Sequence, residues 1–466
     1  VFIVICSLVL VVASGWVAAR LPSQFFPPID ESMERVYVRL APGISLHDAS
    51  AQIQDMADTL RKELPPGLVT LVLTNVGSPK AARSAMHSPN WGPHMGFIRL
   101  QLVEPDKRTI SQDELANRIR AILNKHYPGV EFLQWPGGLV ASVFSNGYLA
   151  PLAVEVRGDN PAQLEDRERA VAEVARTIPG IRDVWPTLQT DYPELHIDTD
   201  REEAGQVGVS ARQAAQTALE ATMGNINTPA IWVDASNGVS YYVVTSYDAS
   251  KLGDPQLLAT APVVVGKRAA AITLGSYGKL SRSTGPIAIE RNHRARAAHV
   301  LMQVEGRDLG TTAADLEEAL KKDPRTAGLE VDFVGQVELM RTTFSGLGLA
   351  IGLAVMVVFM IMASQFKSLR LPMIMLFTIP CTLIGIVLAL LAGGLGFSVT
   401  ALMGVLMVVG IAVSNGILLV DHARIRLDEG LSKLGAVMAP ARTPFPPIAR
   451  TTLATLLARV SAAMGL

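Results

Sequence analysis

Cysteine is scarce in this chain, with two residues in 466. Two thiols cannot form a disulfide framework or a cysteine-rich metal site. An excess of charge of one sign is also missing, because 41 Lys and Arg stand against 42 Asp and Glu. This balance gives no electrostatic footprint for nucleic acid or for an anionic membrane surface. The sequence contains no Gly-x-Ser-x-Gly, His-Glu-x-x-His or P-loop pattern, so it offers no visible chemistry for an enzyme.

Charged residues and histidine are absent from two long stretches, 342–366 and 371–420. The second is long enough for two membrane spans of about 20 residues each, and a Gly-Gly-Leu-Gly turn at 393–396 divides it. The chain also starts inside an apolar run at Val1, so we expect it to be part of a longer protein. The sequence therefore predicts four spans, at 1–20, 344–365, 371–392 and 398–421.

Basic residues next to short loops predict the orientation of these spans. Lys367 and Arg370 follow the second span, and Arg424 follows the fourth, whereas the glycine-rich loop between the third and fourth has no charge. The basic ends are expected on the cytoplasmic side. Residues 21–341 are then expected outside the membrane, as a soluble module of about 320 residues.

The soluble module repeats one strand–helix–strand pattern four times. In each copy an alternating strand precedes an amphipathic helix, and Pro or Gly lies near the turn into the next strand. The predicted helices cover 46–63, 111–125, 161–177 and 311–322. Four such units indicate a pair of ferredoxin-like α/β sandwiches. An insertion at 197–296 contains further strand-like text and an Asn237-Gly238 hairpin signal, which favours a separate β-rich subdomain.

Four motifs, taken together, resemble the C-terminal half of a resistance–nodulation–division (RND) efflux transporter of the acriflavine-resistance/multidrug type, the inner-membrane permease subunit of such systems. They are QFFPPID at 24–30, DYPEL at 191–195 followed by Asp198 and Asp200-Arg201, Gly335-Gln336 with SQFKS at 364–368, and GIAVSNGILLVD at 410–421. The resemblance covers nearly the whole chain in order.

The resemblance implies an α-helical membrane protein with an α+β periplasmic module, built of ferredoxin-like βαβ porter subdomains and an inserted β-rich docking subdomain. The division it implies is 1–20, the seventh transmembrane helix of the family; 21–150, the first C-terminal porter subdomain; 151–196 with 297–336, the second; 197–296, the docking or funnel subdomain; 344–365, 371–392 and 398–421, further transmembrane helices; and 422–466, a cytoplasmic segment and divergent start of the next helix.

The resemblance also implies a secondary active transporter, not an enzyme. Such a pump would export small amphiphilic compounds across the cell envelope by proton antiport, as a homotrimer in the bacterial inner membrane. Its partners would be a periplasmic adaptor (membrane fusion protein), an outer-membrane channel and the lipid bilayer, with no nucleic acid and no cofactor. Heavy-metal (Cu/Ag) efflux and a lipid- or protein-export relative of the superfamily remain alternatives. A signalling receptor is less consistent with the short cytoplasmic segments.

Polar residues in the last predicted span are candidates for energy coupling. Ser414 stands where the family has a relay lysine, and Asn415 follows it. One interpretation is that both bind acidic groups in the half of the pump outside this chain, and the other is that they hold helices together, as small polar residues do in membranes. Asp421, at the cytoplasmic end, is expected to form an interfacial ion pair beside His422 and Arg424.

The segment 78–95 has no periodicity and resembles, by position, the loop that divides the substrate pockets of the family. Trp91, Phe97, Met86 and Met95 are the candidate substrate-path residues, although Phe97 also fits a core position of its strand. Broad aromatic drug binding is expected to be weaker than in members with more phenylalanine here.

Two histidines of the same segment give a second possibility. His87 and His94 are paired with Met86 and Met95 around Trp91, and these ligand types suit a soft cation such as Cu(I) or Ag(I). Ligand type without geometry is the only support for this metal site.

Overall fold

The computed structural model describes residues 2–26, 30–78, 90–225, 229–246, 255–262, 272–432 and 435. They divide into two compact units. One contains Val1–Ile29, Val304–Asp315 and Val334–Leu466, and the other contains Asp30–Gln303 and Leu316–Phe333. The apolar helices belong to the first unit and most of the sheet structure to the second.

The first sandwich of the second unit is a four-stranded antiparallel sheet in the order β2-β3-β1-β4. This order with two intervening helices is the ferredoxin-like βαββαβ arrangement. Its elements are β1 (Met33–Arg39), α2 (Leu46–Glu63), β2 (Val69–Val76), β3 (Met95–Leu102), α3 (Gln112–His126) and β4 (Glu131–Pro136).

Strand alternation places one face of this sheet against the two helices. Val36, Val38, Ile98 and Leu100 are fully buried in a core that also contains Ile53 of α2. Serine caps begin both helices, since Ser45 and Ser111 each accept a hydrogen bond from a backbone N–H in the first turn.

The second sandwich repeats the arrangement. β12 pairs with β5 and also with β6, and β5 is followed in the sheet by β13. Its elements are β5 (Leu152–Arg157), α5 (Pro161–Thr177), β6 (Ile181–Pro186), β12 (Ala295–Val304), α9 (Leu309–Lys322) and β13 (Val331–Val334). A short helix, α4 (Leu139–Phe144), precedes it in the chain.

Between β6 and β12 the chain forms smaller elements. They are β7 (Tyr192–Thr199), α6 (Arg201–Gln206), α7 (Ala211–Met223), β8 (Ala230–Val233), β9 (Ser240–Val243), α8 (Pro255–Ala259), β10 (Gly278–Gly285) and β11 (Glu290–Asn292). β10 pairs with β7 along eight residues, and β8 pairs with β9 as a hairpin. A small core of Ala204, Val209, Ala214, Leu274 and Tyr277 lies beside them.

Within the described residues, three helical stretches are long and apolar enough to cross a membrane: Gln336–Phe366, Arg370–Ala392 and Val399–Asp428. The first predicted span forms an apolar helix of 17 residues, α1 (Phe2–Ala18). The other helices are α10 (Gln336–Phe366), α11 (Arg370–Leu376), α12 (Thr378–Ala392) and α13 (Val399–Asp428).

The stretch 370–392 is interrupted at Phe377, which separates α11 from α12. Pro380 explains the interruption, because it has no N–H for the carbonyl of Leu376 and its ring would clash with that carbonyl. The Thr378 hydroxyl donates to the carbonyl of Met375 at 2.7 Å, which satisfies one acceptor at the break.

Candidate substrate cleft

A cavity of about 300 Å³ lies between the two sandwiches, within the second unit. β1 and β3 form one wall, and β6 and β12 form the other. The lining residues are Tyr37, Val38, Arg39, Asn90, Trp91, Met95, Gly96, Gly147, Tyr148, Leu149, Trp185, Thr187, Glu290, His299 and Leu301. Its size and its mixture of aromatic and polar groups are typical of a small-molecule site.

Aromatic rings supply much of the apolar surface of the cavity. Tyr37 comes from the first sandwich, and Trp91 comes from the segment before β3. Trp185 comes from the second sandwich, and Tyr148 comes from the segment before that sandwich. Trp91 is 56% exposed, so its ring is open to a ligand. Tyr37 and Trp185 are buried at the walls.

Arg39 joins the two walls. Its Nη1 donates to Glu131 Oε2 at 2.9 Å in the first sandwich, and its Nη2 donates to the carbonyl of Pro186 at 2.8 Å in the second. Its guanidinium also lies 4.1 Å from the ring centroid of Trp185. Burial lowers the pKa of Arg39, although Glu131 opposes this effect, and a guanidinium remains charged at any physiological pH.

His299 is the centre of a polar cluster on the opposite wall. Its Nδ1 lies 2.7 Å from Glu290 Oε2, its Nε2 lies 3.2 Å from Glu155 Oε2, and its ring centroid is 5.2 Å from that of Tyr148. Burial alone would lower the pKa of His299, but the hydrogen bond to Glu290 and the charges of Glu290 and Glu155 raise it above its usual value. When it is protonated, the ring neutralises a carboxylate at the cavity.

Glu155, the buried partner of this histidine, is also held by Arg157 Nε at 2.6 Å and Asn292 Nδ2 at 2.6 Å. Burial raises the pKa of Glu155, but these two hydrogen bonds and the charge of His299 lower it more, so the net shift is downward. The fully buried carboxylate is thus ionised, and Arg157 and His299 balance its charge.

Glu168 lies behind Thr187 and is almost fully buried. Its Oε1 accepts hydrogen bonds from the backbone N–H of Thr187 at 2.7 Å and of Leu188 at 3.2 Å. Burial raises the pKa of Glu168 to about 8, although the two hydrogen bonds act in the opposite direction. At neutral pH this carboxyl is mostly protonated.

Two of the four predicted substrate-path residues, Trp91 and Met95, line the cavity. Phe97 is buried, and its ring lies 6.0 Å from that of Tyr37, its cross-strand neighbour, so it packs beside a lining residue. Met86 and His87 lie outside the described residues.

His94, the other candidate metal ligand, is fully buried. Its Nε2 lies 2.9 Å from Gln189 Oε1, and its ring centroid lies 5.0 Å from that of Tyr192. Burial lowers its pKa, which favours the neutral ring. In the described part of the chain, no three His, Cys, Asp or Glu side chains are grouped so that they could hold a metal ion.

The polar residues predicted for energy coupling all lie on α13. Ser414 is exposed and Asn415 is half-buried, next to Val413, which packs in a cluster with Met362 and Phe366 of α10. Asp421 is exposed, and among the described residues it forms no ion pair with His422 or Arg424.

Four lining residues were not predicted from the sequence: Tyr37, Arg39, Trp185 and His299. Tyr37 and Arg39 occupy alternate positions of β1, on the face away from the helices, and this alternation was the one available signal. His299 is a single histidine in an apolar strand, a pattern that does not distinguish a core residue from a cavity residue.

Comparisons with known proteins agree on one group. A model of the AcrB/AcrD/AcrF family matches residues 1–464. The chain is 27% identical to the cobalt-zinc-cadmium resistance protein CzcA of Cupriavidus metallidurans, over 98% of this chain and 43% of CzcA. It is 24% identical to the multidrug resistance protein MdtC of Escherichia coli, over 95% of this chain and 41% of MdtC.

A crystal structure of a heavy metal efflux pump superposes on the chain with a TM-score of 0.70 at 25% identity. The superposition covers 90% of this chain and 42% of that pump. The chain thus spans less than half the length of the relatives it matches.

Proposed function

Because the chain belongs to the AcrB/AcrD/AcrF family of RND efflux transporters, we propose that it is the C-terminal half of an inner-membrane pump for small amphiphilic compounds. The main support for this proposal is the cleft between the two sandwiches. Its walls combine aromatic rings with charged groups that are already paired, as in Arg39 with Glu131 and His299 with Glu290. Such walls bind apolar and aromatic surfaces, and they leave little free charge for a strongly hydrated ion.

Efflux of metal cations is the second candidate, and the names of the relatives favour it. CzcA is described as a cobalt-zinc-cadmium resistance protein, and the similar crystal structure is of a heavy metal efflux pump. MdtC, at a similar level of identity, is described as a multidrug resistance protein. Met95 is the only sulfur ligand in the described lining of the cleft, which is a weak donor set for a soft metal.

We place the soluble unit in the periplasm, with the two sandwiches as porter subdomains and 197–296 as the docking subdomain. The whole protein would work as a homotrimer with a periplasmic adaptor and an outer-membrane channel, and proton antiport would drive it. Exposure of Ser414 on α13 supports a role for Ser414 and Asn415 in binding groups from the other half of the pump. Asp421 would remain a charge at the cytoplasmic end.

The test is drug and metal susceptibility of an efflux-deficient Gram-negative host that expresses the full-length protein with its adaptor. Trp91→Ala should lower resistance to amphiphilic compounds by about fourfold or more, because an exposed aromatic surface is lost from the cleft. Leu46→Ala is the control, since Leu46 is an exposed apolar residue of α2, on the side of the first sheet opposite the cleft. Membrane levels and trimer content of each variant are compared by immunoblot and native gel.

Three results are distinguishable in this experiment. Loss of drug resistance in Trp91→Ala alone supports the proposal. Resistance to cobalt, zinc, copper or silver without drug resistance favours the second candidate. A trimer in the membrane that confers neither kind of resistance contradicts both.

A further inference from the structure

The first sandwich has a sheet face that its helices do not cover, and two arginines lie there. In β1, Arg35 and Tyr37 alternate with the core residues, and in β3, Phe97 and Arg99 do the same. All four side chains therefore belong to the face opposite α2 and α3.

Arg35 and Arg99 are direct partners across the antiparallel pair of strands. Like charges in this position repel one another and destabilise the sheet. Among the described residues neither arginine forms an ion pair, and the Nε of each is buried without a hydrogen-bond partner. Arg35 Nη2 lies 3.7 Å from Met33 Sδ, and the hydroxyl of Tyr37 interacts with the same guanidinium. Neither of these two groups carries a negative charge that could balance the arginine.

The acidic side chain of Glu31 forms no ion pair with these arginines. Glu31 interacts electrostatically with Arg35, but its carboxylate is occupied by the backbone N–H groups of Gly138, Val140 and Ala141, at 2.9–3.2 Å. The pKa of Arg99 is lowered, first by burial and then by the charge of Arg35. Two half-buried cations thus share one site, and no carboxylate of the described residues forms an ion pair with either of them.

Apolar surface surrounds the pair. The guanidinium carbon of Arg99 lies 5.7 Å from the ring centroid of Phe97, and Leu71 and Leu73 of β2 are exposed on the same face, opposite Gln101 and Arg99. Tyr37, next to Arg35 on this face, also lines the cleft described above. A guanidinium pair suits the planar oxygens of a carboxylate or phosphate, and the leucines suit a hydrocarbon tail.

We propose that Arg35 and Arg99 bind the carboxylate or phosphate group of an amphiphilic anion, whose apolar tail lies over Phe97, Leu73 and Leu71. This inference rests on the proposed function and specifies one class of its substrates. It also separates this chain from a simple cation exporter, because two uncompensated arginines next to the cleft repel cations.

The test measures binding of three ten-carbon probes to the purified full-length protein in nanodiscs of zwitterionic lipid. The probes are decanoate, decyl phosphate and decyltrimethylammonium, used below their micelle concentrations, and empty nanodiscs correct for partitioning into lipid. Arg35→Gln, Arg99→Gln and the double variant are compared with Arg118→Gln, which removes an exposed arginine from the surface of α3.

The double variant should bind both anions about 10- to 100-fold more weakly, because charge-assisted hydrogen bonds are lost. Its affinity for decyltrimethylammonium should stay the same or increase, and Arg118→Gln should match the wild type. Equal affinity of wild type and double variant for the anions overturns the proposal. Lower thermal stability with unchanged anion affinity also overturns it, and indicates that acidic side chains from elsewhere in the protein pair with the arginines.

The experiment gives different results when the anion-site proposal is wrong and when the efflux proposal is wrong. If the double variant still exports neutral or cationic compounds while wild-type protein does not bind anions, only the anion site is wrong. If wild-type protein binds anions but confers no resistance, the efflux proposal is wrong and the binding site remains.

Discussion

At the scale of single residues, the second unit keeps two buried carboxyl groups, Glu34 and Glu168, that are not part of any ion pair within the described residues. Glu34 lies on β1 among the core residues, and Gln112 Nε2 is 3.5 Å from its Oε2. Burial raises the pKa of Glu34 from an ordinary 4.5 to about 8, and the neighbouring side-chain amides of Gln134 and Gln112 oppose the shift. The folded protein therefore holds a proton there at neutral pH.

This shift makes stability depend on pH. The stability associated with the neutral carboxyl is fully present below about pH 4.5 and is lost as the pH rises through about 8. Glu34→Gln stays neutral, so it should be more stable than the wild type at pH 9 by about 1–3 kcal/mol, with little difference at pH 5. Thermal unfolding at both pH values checks this, with exposed Glu104→Gln as the control. A constant difference at both pH values would contradict it.

His299 has the opposite pH dependence to a buried neutral histidine, because its pKa is raised. The stability from its pairing with Glu290 and Glu155 is present below about pH 6.5 and is lost as the pH rises through the folded-state pKa. His299→Gln should destabilise the protein by about 1–3 kcal/mol at pH 6 and by less at pH 9. Unfolding midpoints measure this, and exposed His47→Gln is the control. A larger loss at pH 9 would be inconsistent with a charged His299.

At the scale of elements, the sequence predicted helices and strands correctly where local signals and tertiary packing agree. The helices at 46–63 and 161–177 have the predicted bounds, because a cap begins each and a Pro/Gly turn follows. The strand β10 was missed, because its sequence, GKLSRSTG, has no apolar alternation. β10 forms a strand because it pairs with β7, and a pairing between residues some 80 positions apart leaves no signal in the local sequence.

A close contact between a helix and a sheet depends on a glycine. A Cβ on Gly96 of β3 would lie 2.4 Å from Ile53 Cδ1 and 2.7 Å from the carbonyl oxygen of Asn75. Gly96→Ala should therefore destabilise the protein by about 1–3 kcal/mol. Part of this loss should be absent in an Ile53→Val background, which lacks Cδ1, as a double-mutant cycle of unfolding free energies would measure.

Gly205→Ala is the control for this cycle. Gly205 lies in the short helix α6, and a Cβ at this position would meet no neighbouring atom within 4 Å. Alanine should therefore be neutral or slightly stabilising there. Additive effects of Gly96→Ala and Ile53→Val would contradict the proposed contact.

At the scale of the whole molecule, motifs predicted the family, and the family match over 1–464 confirms it. The sequence also predicted the repeated strand–helix–strand order and two of the residues at the cleft, Trp91 and Met95. It could not predict that Tyr37, Trp185 and His299 would meet there, because they lie on strands separated by more than 100 residues. Only the packing of two separate sandwiches creates that surface.

Arginine contacts between the sandwiches hold this surface together. One is Arg39, which pairs with Glu131 of its own sandwich and donates to the Pro186 carbonyl of the second sandwich, at the cleft. The other is Arg120 of α3, whose Nε and Nη2 both donate to Asp183 of β6 at 2.9 Å. Because Arg39 touches both walls and is almost fully buried, its replacement should act on the width of the cleft as well as on stability.

Arg39→Gln keeps some polar contact but loses the ion pair with Glu131 and the stacking on Trp185. We expect a loss of about 1–3 kcal/mol in unfolding free energy and a broader distribution of distances between the sandwiches. Spin labels at exposed Gln52→Cys on α2 and Arg176→Cys on α5, with Cys6 and Cys381 replaced by serine, report that distance. Arg169→Gln, which removes a surface pair with Glu165, is the control. If the distribution in Arg39→Gln equals that of the control, Arg39 stabilises its own sandwich without setting the width of the cleft.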